Sequence, residues 1–396
     1  MRLGIFRKTF TELYELTKMA VSFLDYFAWL LFSPSKFKKI KTKEIDNLLV
    51  ILITGKKGNV GGNAVTFGVL NYFKKLYSNI KVSVLVDKIT MNHFGKLPGI
   101  ELIEYKGLET LKKLKDYNFK AVLDLTNSQD FTLNDFRFIS YRVMPSCTAI
   151  FNFFRTIKNN FSITRKVFFP WNSHTADMHF NLLETLGFKF SKRKLIFHYS
   201  KKDEVKVRKF LKKNKLQKFI ILHPGGKHMV ETVKKRKIPS QLWPFENYAK
   251  VADHFSKKDY KIVITGIKEE RFLADKIKQK SSNKTKIIDS CGQFTVRELA
   301  FLLKNSKLLI STDTGVVHLA YQDPINTPIV ELFGVSIPEV SGAYPINSEN
   351  HKFLFDNGIC ARCNHQIESP ENLNCLKNIK VREVIRESEE LLKMKK

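Results

Sequence analysis

Two short stretches carry residue types that could hold a phosphate. In KLLISTDTGVVHLA an apolar run ends at Ser311 or Thr312, and Asp313, Thr314 and Gly315 follow before a helical pattern resumes. Asp313 is a good N-cap. Thr314 and Gly315 then set a hydroxyl and free N–H groups at a helix start, where the helix dipole favours an anion. His318, four residues beyond Thr314, shares its helical face and could donate to a phosphate oxygen. Taken alone, the stretch also reads as an ordinary capped helix. In IILHPGGKHM a strand ends in Pro-Gly-Gly. Gly225 and Gly226 would let a ligand approach the backbone and Lys227 could neutralise a pyrophosphate, although a tight turn uses the same residues. In ITGIKEERF, Glu269 and Glu270 open a helix after Gly266. A carboxylate there could accept from ribose hydroxyls, or merely favour the helix N-terminus.

A fourth stretch, ILITGKKGNVGGNAV from Ile51 to Val65, runs from a buried strand through a glycine-rich loop into a helix. No Gly-Lys-Ser/Thr closes it, so it is not a Walker loop, and G-x-G-x-x-G is absent too. It offers two asparagines, Asn59 and Asn63, and no carboxylate. Late in the chain, Cys360-x-x-Cys363 with His365 and Cys375 could assemble a Cys₃His zinc site, but a structural thiol cluster is the favoured reading and no metal is expected.

These pieces need a frame. Apolar runs at NLLVILITG, KVSVLVD and KAVLDLT alternate with helical patterns in the first half, and a second series comprises KFIILHPGG, YKIVITG, TKIIDS, KLLISTD and TPIVELFG. Short β-rich runs separated by helices predict parallel sheets covered on both faces. Two series predict an α/β protein of two Rossmann-like halves facing each other across a cleft, with ligands beyond the carboxyl ends of the strands. Ahead of them, Thr11 to Phe32 is apolar except for a stripe of Glu12, Glu15, Lys18, Ser22 and Asp25. Its uninterrupted apolar part is shorter than the roughly 20 residues that span a bilayer. Arg2, Arg7 and Lys8 precede it, and Lys36, Lys38, Lys39, Lys41 and Lys43 follow. Such a helix suits the interface of an anionic membrane, or packing onto its own domain.

The chain of 396 residues carries a formal net charge of +30, which marks attraction to something anionic. No zinc-finger, RNP or KH signature accompanies it, so an anionic membrane surface is expected rather than nucleic acid. Five cysteines, an odd number, speak against a secreted disulfide scaffold and for a reducing compartment.

The order of HPGG…LWPFENYAKVADHF, IVITGIKEE and STDTGVVHLAYQDPINTPIVELFGVSIPEVSGAYP resembles glycosyltransferase family 9, the bacterial lipopolysaccharide heptosyltransferases. Asp-Thr-Gly-x-x-His followed by Thr-Pro and Leu-Phe-Gly is the most specific part. The tail CARCNHQIESPENLNCLKNIKVREV is similar as well, and AVLDLTNS and HFNLLETLGF fit more loosely; the resemblance covers Leu48 to Leu392. It implies a GT-B fold and a nucleotide-diphosphate sugar donor, often ADP-heptose, with inverting transfer and no required cofactor or metal. With the basic surface and the helix that precedes the matched region, the expectation is a lipid-linked saccharide acceptor, such as a lipopolysaccharide core, and a peripheral place on the cytoplasmic face of the inner membrane. Carried across, Thr312, Asp313, Thr314, Gly315 and His318 grip the donor diphosphate, Gly225 and Gly226 border it, and Glu269 reaches the ribose. The family usually has a Lys just before its Trp-Pro; Gln241 and Leu242 stand there, and Lys237 could substitute from a turn earlier. The family's general base is the Asp of a Gly-Asp in the first loop. The match here is Gly62-Asn63, or Gly58-Asn59 with a small shift, and an amide cannot take a proton at neutral pH.

The expected organisation is therefore residues 1–45 as membrane-interface helix and basic linker, 46–200 as acceptor domain and 201–375 as donor domain. A C-terminal helix over 376–396 could return to the first domain. The alternative from another class is a weak or inactive donor-binding subunit of an envelope-assembly complex, which the asparagine favours. A nicotinamide-dependent dehydrogenase is opposed by the missing dinucleotide fingerprint.

Overall fold

The computed structural model describes residues 40–53, 59–125, 173–226, 242–334, 336–345, 348–356 and 375–394, the backbone of 141–145 and 165–167, and seven helical residues between 20 and 31. The chain divides into two compact units, with the break between Ile196 and Phe197.

The first unit is built on strands β1 (Asn47–Leu52), β2 (Lys81–Val86), β3 (Ile100–Glu104), β4 (Ala121–Asp124), β5 (Tyr141–Pro145) and β6 (Arg165–Val167). They form one parallel sheet in the order β3-β2-β1-β4-β5-β6. The run NLLVIL lacks the alternation of a half-exposed strand because β1 is central and buried from Leu48 onward. Its helices include α1 (Val60–Leu76), α2 (Lys88–Phe94), α3 (Leu108–Leu114) and α4 (Thr175–Thr185). Leu49, Ile51, Leu85, Leu111, Leu114 and Val122 close one core face. Strand order reverses between β1 and β4, where Ile51 lies opposite Asp124.

In the second unit β7 (Phe219–His223), β8 (Lys261–Ile264), β9 (Ile287–Asp289), β10 (Leu308–Thr312), β11 (Ile329–Phe333) and β12 (His351–Phe355) repeat the plan. The order is β12-β11-β10-β7-β8-β9, again parallel, with its reversal between β7 and β10. Its helices among the described residues are α5 (Lys201–Lys213), α6 (Phe245–Lys257), α7 (Arg271–Lys280), α8 (Val296–Asn305), α9 (Gly315–Ala320), α10 (Pro338–Ser341), α11 (Cys375–Asn378) and α12 (Val381–Met394). Ser200 opens α5 through a capping box with Asp203.

Helix α12, for which the sequence leaves open a return to the first half, packs within the second unit. Val384 and Leu391 enter the core that holds Trp243, Tyr248, Ile264 and Ile310. The Trp243 indole donates to the Ile379 carbonyl (3.1 Å), and Glu389 reaches His254 on α6 at 2.8 Å. An amphipathic helix encodes the width of its apolar face but not which sheet will cover it.

Between residues 20 and 31 the helical residues Phe23, Leu24, Phe27, Leu30 and Leu31 are exposed, while Tyr26 packs against the first core. No described helix is long and apolar enough to cross a membrane.

Candidate functional site

The two reversal points are where an open parallel sheet leaves a crevice beyond its strand ends. In the second unit β7 ends at His223 and leads into Pro224, Gly225 and Gly226. Beside it β10 ends at Thr312 and leads into Asp313, Thr314 and α9. The sequence-expected residues Gly225, Gly226, Thr312, Asp313, Thr314, Gly315 and His318 thus fall on the two loops of one switch point. Lys227 and Lys237 lie outside the described residues, as do Cys360, Cys363 and His365; Cys375 is buried. Among the described residues no group of His, Cys, Asp and Glu could hold a metal ion.

The carboxylate that meets the glycine loop is Glu270, the neighbour of the Glu269 that the resemblance assigns to the ribose. Residues Lys268–Glu270 form a 3₁₀ turn that leaves Glu269 exposed and turns Glu270 inward, 4% exposed. Its Oε1 accepts from the Gly226 N–H (2.9 Å) and its Oε2 from the Ile267 N–H (2.9 Å). A Cβ on Gly225 would sit 2.5 Å from this carboxylate, and one on Gly266 would sit 2.9 Å from Oε2. The two glycines are therefore needed for the close approach of a side chain as well as for any ligand. Burial pushes the Glu270 carboxyl up, against the pull of the two N–H donors. Sequence reasoning missed its role. The available signal was its spacing, three residues after Ile267, which suits a carboxylate that folds back onto a turn.

His223 at the end of β7 contacts the Thr265 hydroxyl through Nδ1 (2.8 Å), and burial lowers its pKa to about 4. It is neutral at pH 7. Between about 4 and the free value near 6.5 the unfolded chain binds the proton that the folded chain refuses, so stability falls as pH falls through that window. A His223→Asn variant should lose about one proton of this acid-side dependence. Urea unfolding at steps between pH 7.5 and 4.5 reads the slope directly.

On the facing loop Asp313 does not cap α9. The helix begins at Gly315, with Thr314 in the cap position and no side-chain cap bond. Asp313 instead accepts from the Ser341 hydroxyl of α10 through Oδ2 (3.2 Å), and its N–H donates to the Leu332 carbonyl. Ser311 joins the two loops, donating to the His223 carbonyl (3.3 Å) and touching the Thr314 hydroxyl (3.1 Å). The Thr312 hydroxyl is buried and makes no hydrogen bond within the described residues. His318 stands half-buried one turn into α9. The loop thus sets a hydroxyl, uncapped N–H groups and an imidazole at one place, which suits the oxygens of a phosphate.

At the first unit's switch point the expected base position does not face solvent. Asn63 is 1% exposed, one turn inside α1, and its Nδ2 donates to the Thr90 hydroxyl on α2 (2.9 Å). It fastens α1 to α2 and cannot meet an acceptor hydroxyl from there. Asn59 occupies the mouth instead: it is exposed, caps α1, and accepts from the Gly62 N–H through Oδ1 (3.1 Å). Gly62 has no Cβ because one would fall 2.6 Å from the Asn59 amide. Asp124 at the end of β4, opposite Ile51 of β1, is buried.

Comparison with known proteins bears on the family and the fold. The family described as glycosyltransferase family 9 (heptosyltransferase) matches residues 108–373. A lipooligosaccharide heptosyltransferase 2 of Haemophilus ducreyi is 26% identical over 102 residues, 25% of this chain and 29% of that one. The matched segment is thus less than a third of that relative's length. Among solved structures, a glycosyl transferase family 9 protein of Veillonella parvula superposes with a TM-score of 0.68 at 19% identity, over 90% of this chain and 99% of its own. The ADP-heptose lps heptosyltransferase II of E. coli does so with 0.65 at 16% identity, over 88% and 99%. Both are likenesses of fold, and they place the two parallel-sheet domains in the GT-B class.

Proposed function

Because the chain belongs to glycosyltransferase family 9, we propose that it transfers a sugar, a heptose, from a nucleotide-diphosphate donor to a lipid-linked saccharide such as a lipopolysaccharide core. The observation that carries this is the convergence of Gly225-Gly226 with Thr312–His318 at the β7/β10 switch point, in a fold shared with an ADP-heptose transferase. The acceptor hydroxyl oxygen attacks the anomeric carbon and the carbon–oxygen bond to the diphosphate breaks, with inversion, while the hydroxyl proton passes to solvent water. The nucleoside diphosphate leaves with the bonding electrons. Thr314, the N–H groups of the α9 turn and His318 take up the charge that develops on it, which is the work a metal performs elsewhere.

The acceptor's proton is the weak point. Asn59 can orient a hydroxyl but cannot accept its proton at neutral pH, and the loss of general-base help costs roughly 10²–10⁴-fold in rate. The enzyme is accordingly slow. Asn59→Asp should raise turnover, whereas Asn63→Asp should not, because its carboxylate would be buried against Thr90. The test is incubation with ADP-heptose and a lipopolysaccharide truncated before its heptose region. A mass gain of one heptose on the glycolipid supports the reading; release of ADP without glycolipid product contradicts it. None of the reported relatives is a non-catalytic subunit, and that alternative has no support among them.

The protein works, on this account, at the cytoplasmic face of the inner membrane. Exposed Phe23, Leu24, Phe27, Leu30 and Leu31 offer an apolar strip, and the lysines that follow in sequence suit anionic headgroups. Phe23→Ser with Phe27→Ser should weaken binding to anionic vesicles by about tenfold or more, given the ~25 cal/mol per Å² of apolar area withdrawn from water. Vesicle flotation at two salt concentrations measures this. Unchanged flotation would place the contact elsewhere.

A further inference from the structure

Asn59 and Asn63 leave the first unit's glycine-rich loop without a carboxylate, yet the sheet supplies one beside it. Among the described residues three carboxylates stand at or just beyond the carboxyl ends of its strands: Asp87 after β2, Glu104 on β3 and Asp124 on β4. Their depths differ. Strand pairing sets Asp124 level with Ile51 and Val86 level with Leu52, so Asp87 stands beside Ile53, two residues nearer the loop than Asp124. At about 3.3 Å per residue that is a rise of roughly 6–7 Å. Asp124 is 3% exposed, whereas Asp87 is half-buried and reaches the surface. Glu104 lies one strand further from β1 and faces Lys106 at 3.6 Å.

Asp87 is also tied to the position where the resemblance places the base. It caps α2, its Oδ1 accepting from the Thr90 N–H (2.8 Å), and the Thr90 hydroxyl accepts from the Asn63 amide (2.9 Å). Two hydrogen bonds on one residue, Thr90, thus separate the buried amide from a carboxylate at the surface. Capping is the ordinary role of an Asp at this place, and it uses one of the carboxylate's roughly four lone-pair sites. Asn59, whose Oδ1 holds the Gly62 N–H, can offer its Nδ2 to the acceptor oxygen. A single water between that hydroxyl and Asp87 is within the reach of general-base catalysis.

We propose that Asp87 is the general base of the transfer, acting through one water at the mouth of the first unit. The acceptor oxygen bonds to the anomeric carbon as the carbon–oxygen bond to the diphosphate breaks. The hydroxyl proton passes to the water, the water passes a proton to the Asp87 carboxylate, and the acid so formed releases it to bulk solvent. This deepens the transferase reading and rests on it. A base that works through a water recovers part of the factor lost with the loop's carboxylate, so the enzyme is slower than one with a direct base and faster than one with none.

The test is heptose transfer from ADP-heptose to lipopolysaccharide truncated before its heptose region, by the full chain and by its Asp87→Asn and Asp87→Ser variants. Asn and Ser cap a helix about as well as Asp, so both variants keep the fold and lose only the carboxylate. Turnover should fall about tenfold or more in both, a part of the roughly 10²–10⁴-fold that general-base help supplies, with KM for ADP-heptose and the melting temperature unchanged. Asn59→Asp added to Asp87→Asn should restore turnover, which a packing defect at Asp87 would not allow. Unchanged turnover in both single variants makes Asp87 a cap only and overturns the assignment. So does a loss that Asn59→Asp fails to repair, or one matched by a fall in melting temperature. If the parent chain itself forms no heptosylated glycolipid, the transferase reading falls and this inference with it.

Discussion

A variant carrying Thr314→Val and His318→Ala will lose nucleoside-diphosphate affinity by at least about 100-fold, because two hydrogen bonds to a charged group are each worth about 1.5–3 kcal/mol. Thr314 can give up its hydroxyl without unfolding the loop. It makes no cap bond, and its contact with Ser311 leaves Ser311 still able to donate to the His223 carbonyl. His318 sits half-buried on a helix whose buried residues are Val316, Val317, Leu319 and Ala320, so truncation leaves the packed face intact. The measurement is paired titration and thermal melting. Lost affinity with a preserved melt places the diphosphate on this loop; preserved affinity moves it elsewhere.

Gly225→Ala will destabilise the second unit by about 2–4 kcal/mol and abolish nucleotide binding. Its Cβ would lie 2.5 Å from the carbon and both oxygens of the Glu270 carboxylate. A side-chain terminus usually moves aside at little cost. This one is buried and holds the N–H groups of Gly226 and Ile267, so displacing it leaves two backbone donors unmatched. Adding Glu270→Ala to Gly225→Ala should cost less than the sum of the two single changes, because the clash disappears with the carboxylate. Additivity in a urea-unfolding cycle would contradict the steric explanation.

Much of this architecture was legible in the sequence. A strand buried on both faces reads as a continuous apolar run, as in NLLVIL and FIILH, and runs alternating with helices leave few topologies open. Pro-Gly-Gly and Asp-Thr-Gly each have an ordinary reading, as a tight turn and as a capped helix, and only their order along the chain marked them as candidate ligand loops. Finer assignments depended on one-residue register. Glu269 and Glu270 are equivalent as letters, but the 3₁₀ turn sends one to solvent and the other beneath the glycine loop. Asp313 looked like a cap, yet β11 and α10 draw its backbone and carboxyl away and the helix starts a residue later. Asn63 and Asn59 lie one turn apart, so their sequence context could not tell the buried fastener from the residue at the mouth. Lys227 and Lys237 fall outside the described residues.

The central claim is that the β7/β10 switch point holds a nucleoside diphosphate. Calorimetric titration of the purified chain with ADP, UDP, GDP and NAD tests it without needing an acceptor. The account predicts saturable 1:1 binding of one nucleoside diphosphate, ADP, and its loss in the Thr314→Val, His318→Ala variant. Absence of binding by all three diphosphates, or tight binding of NAD alone, would contradict it.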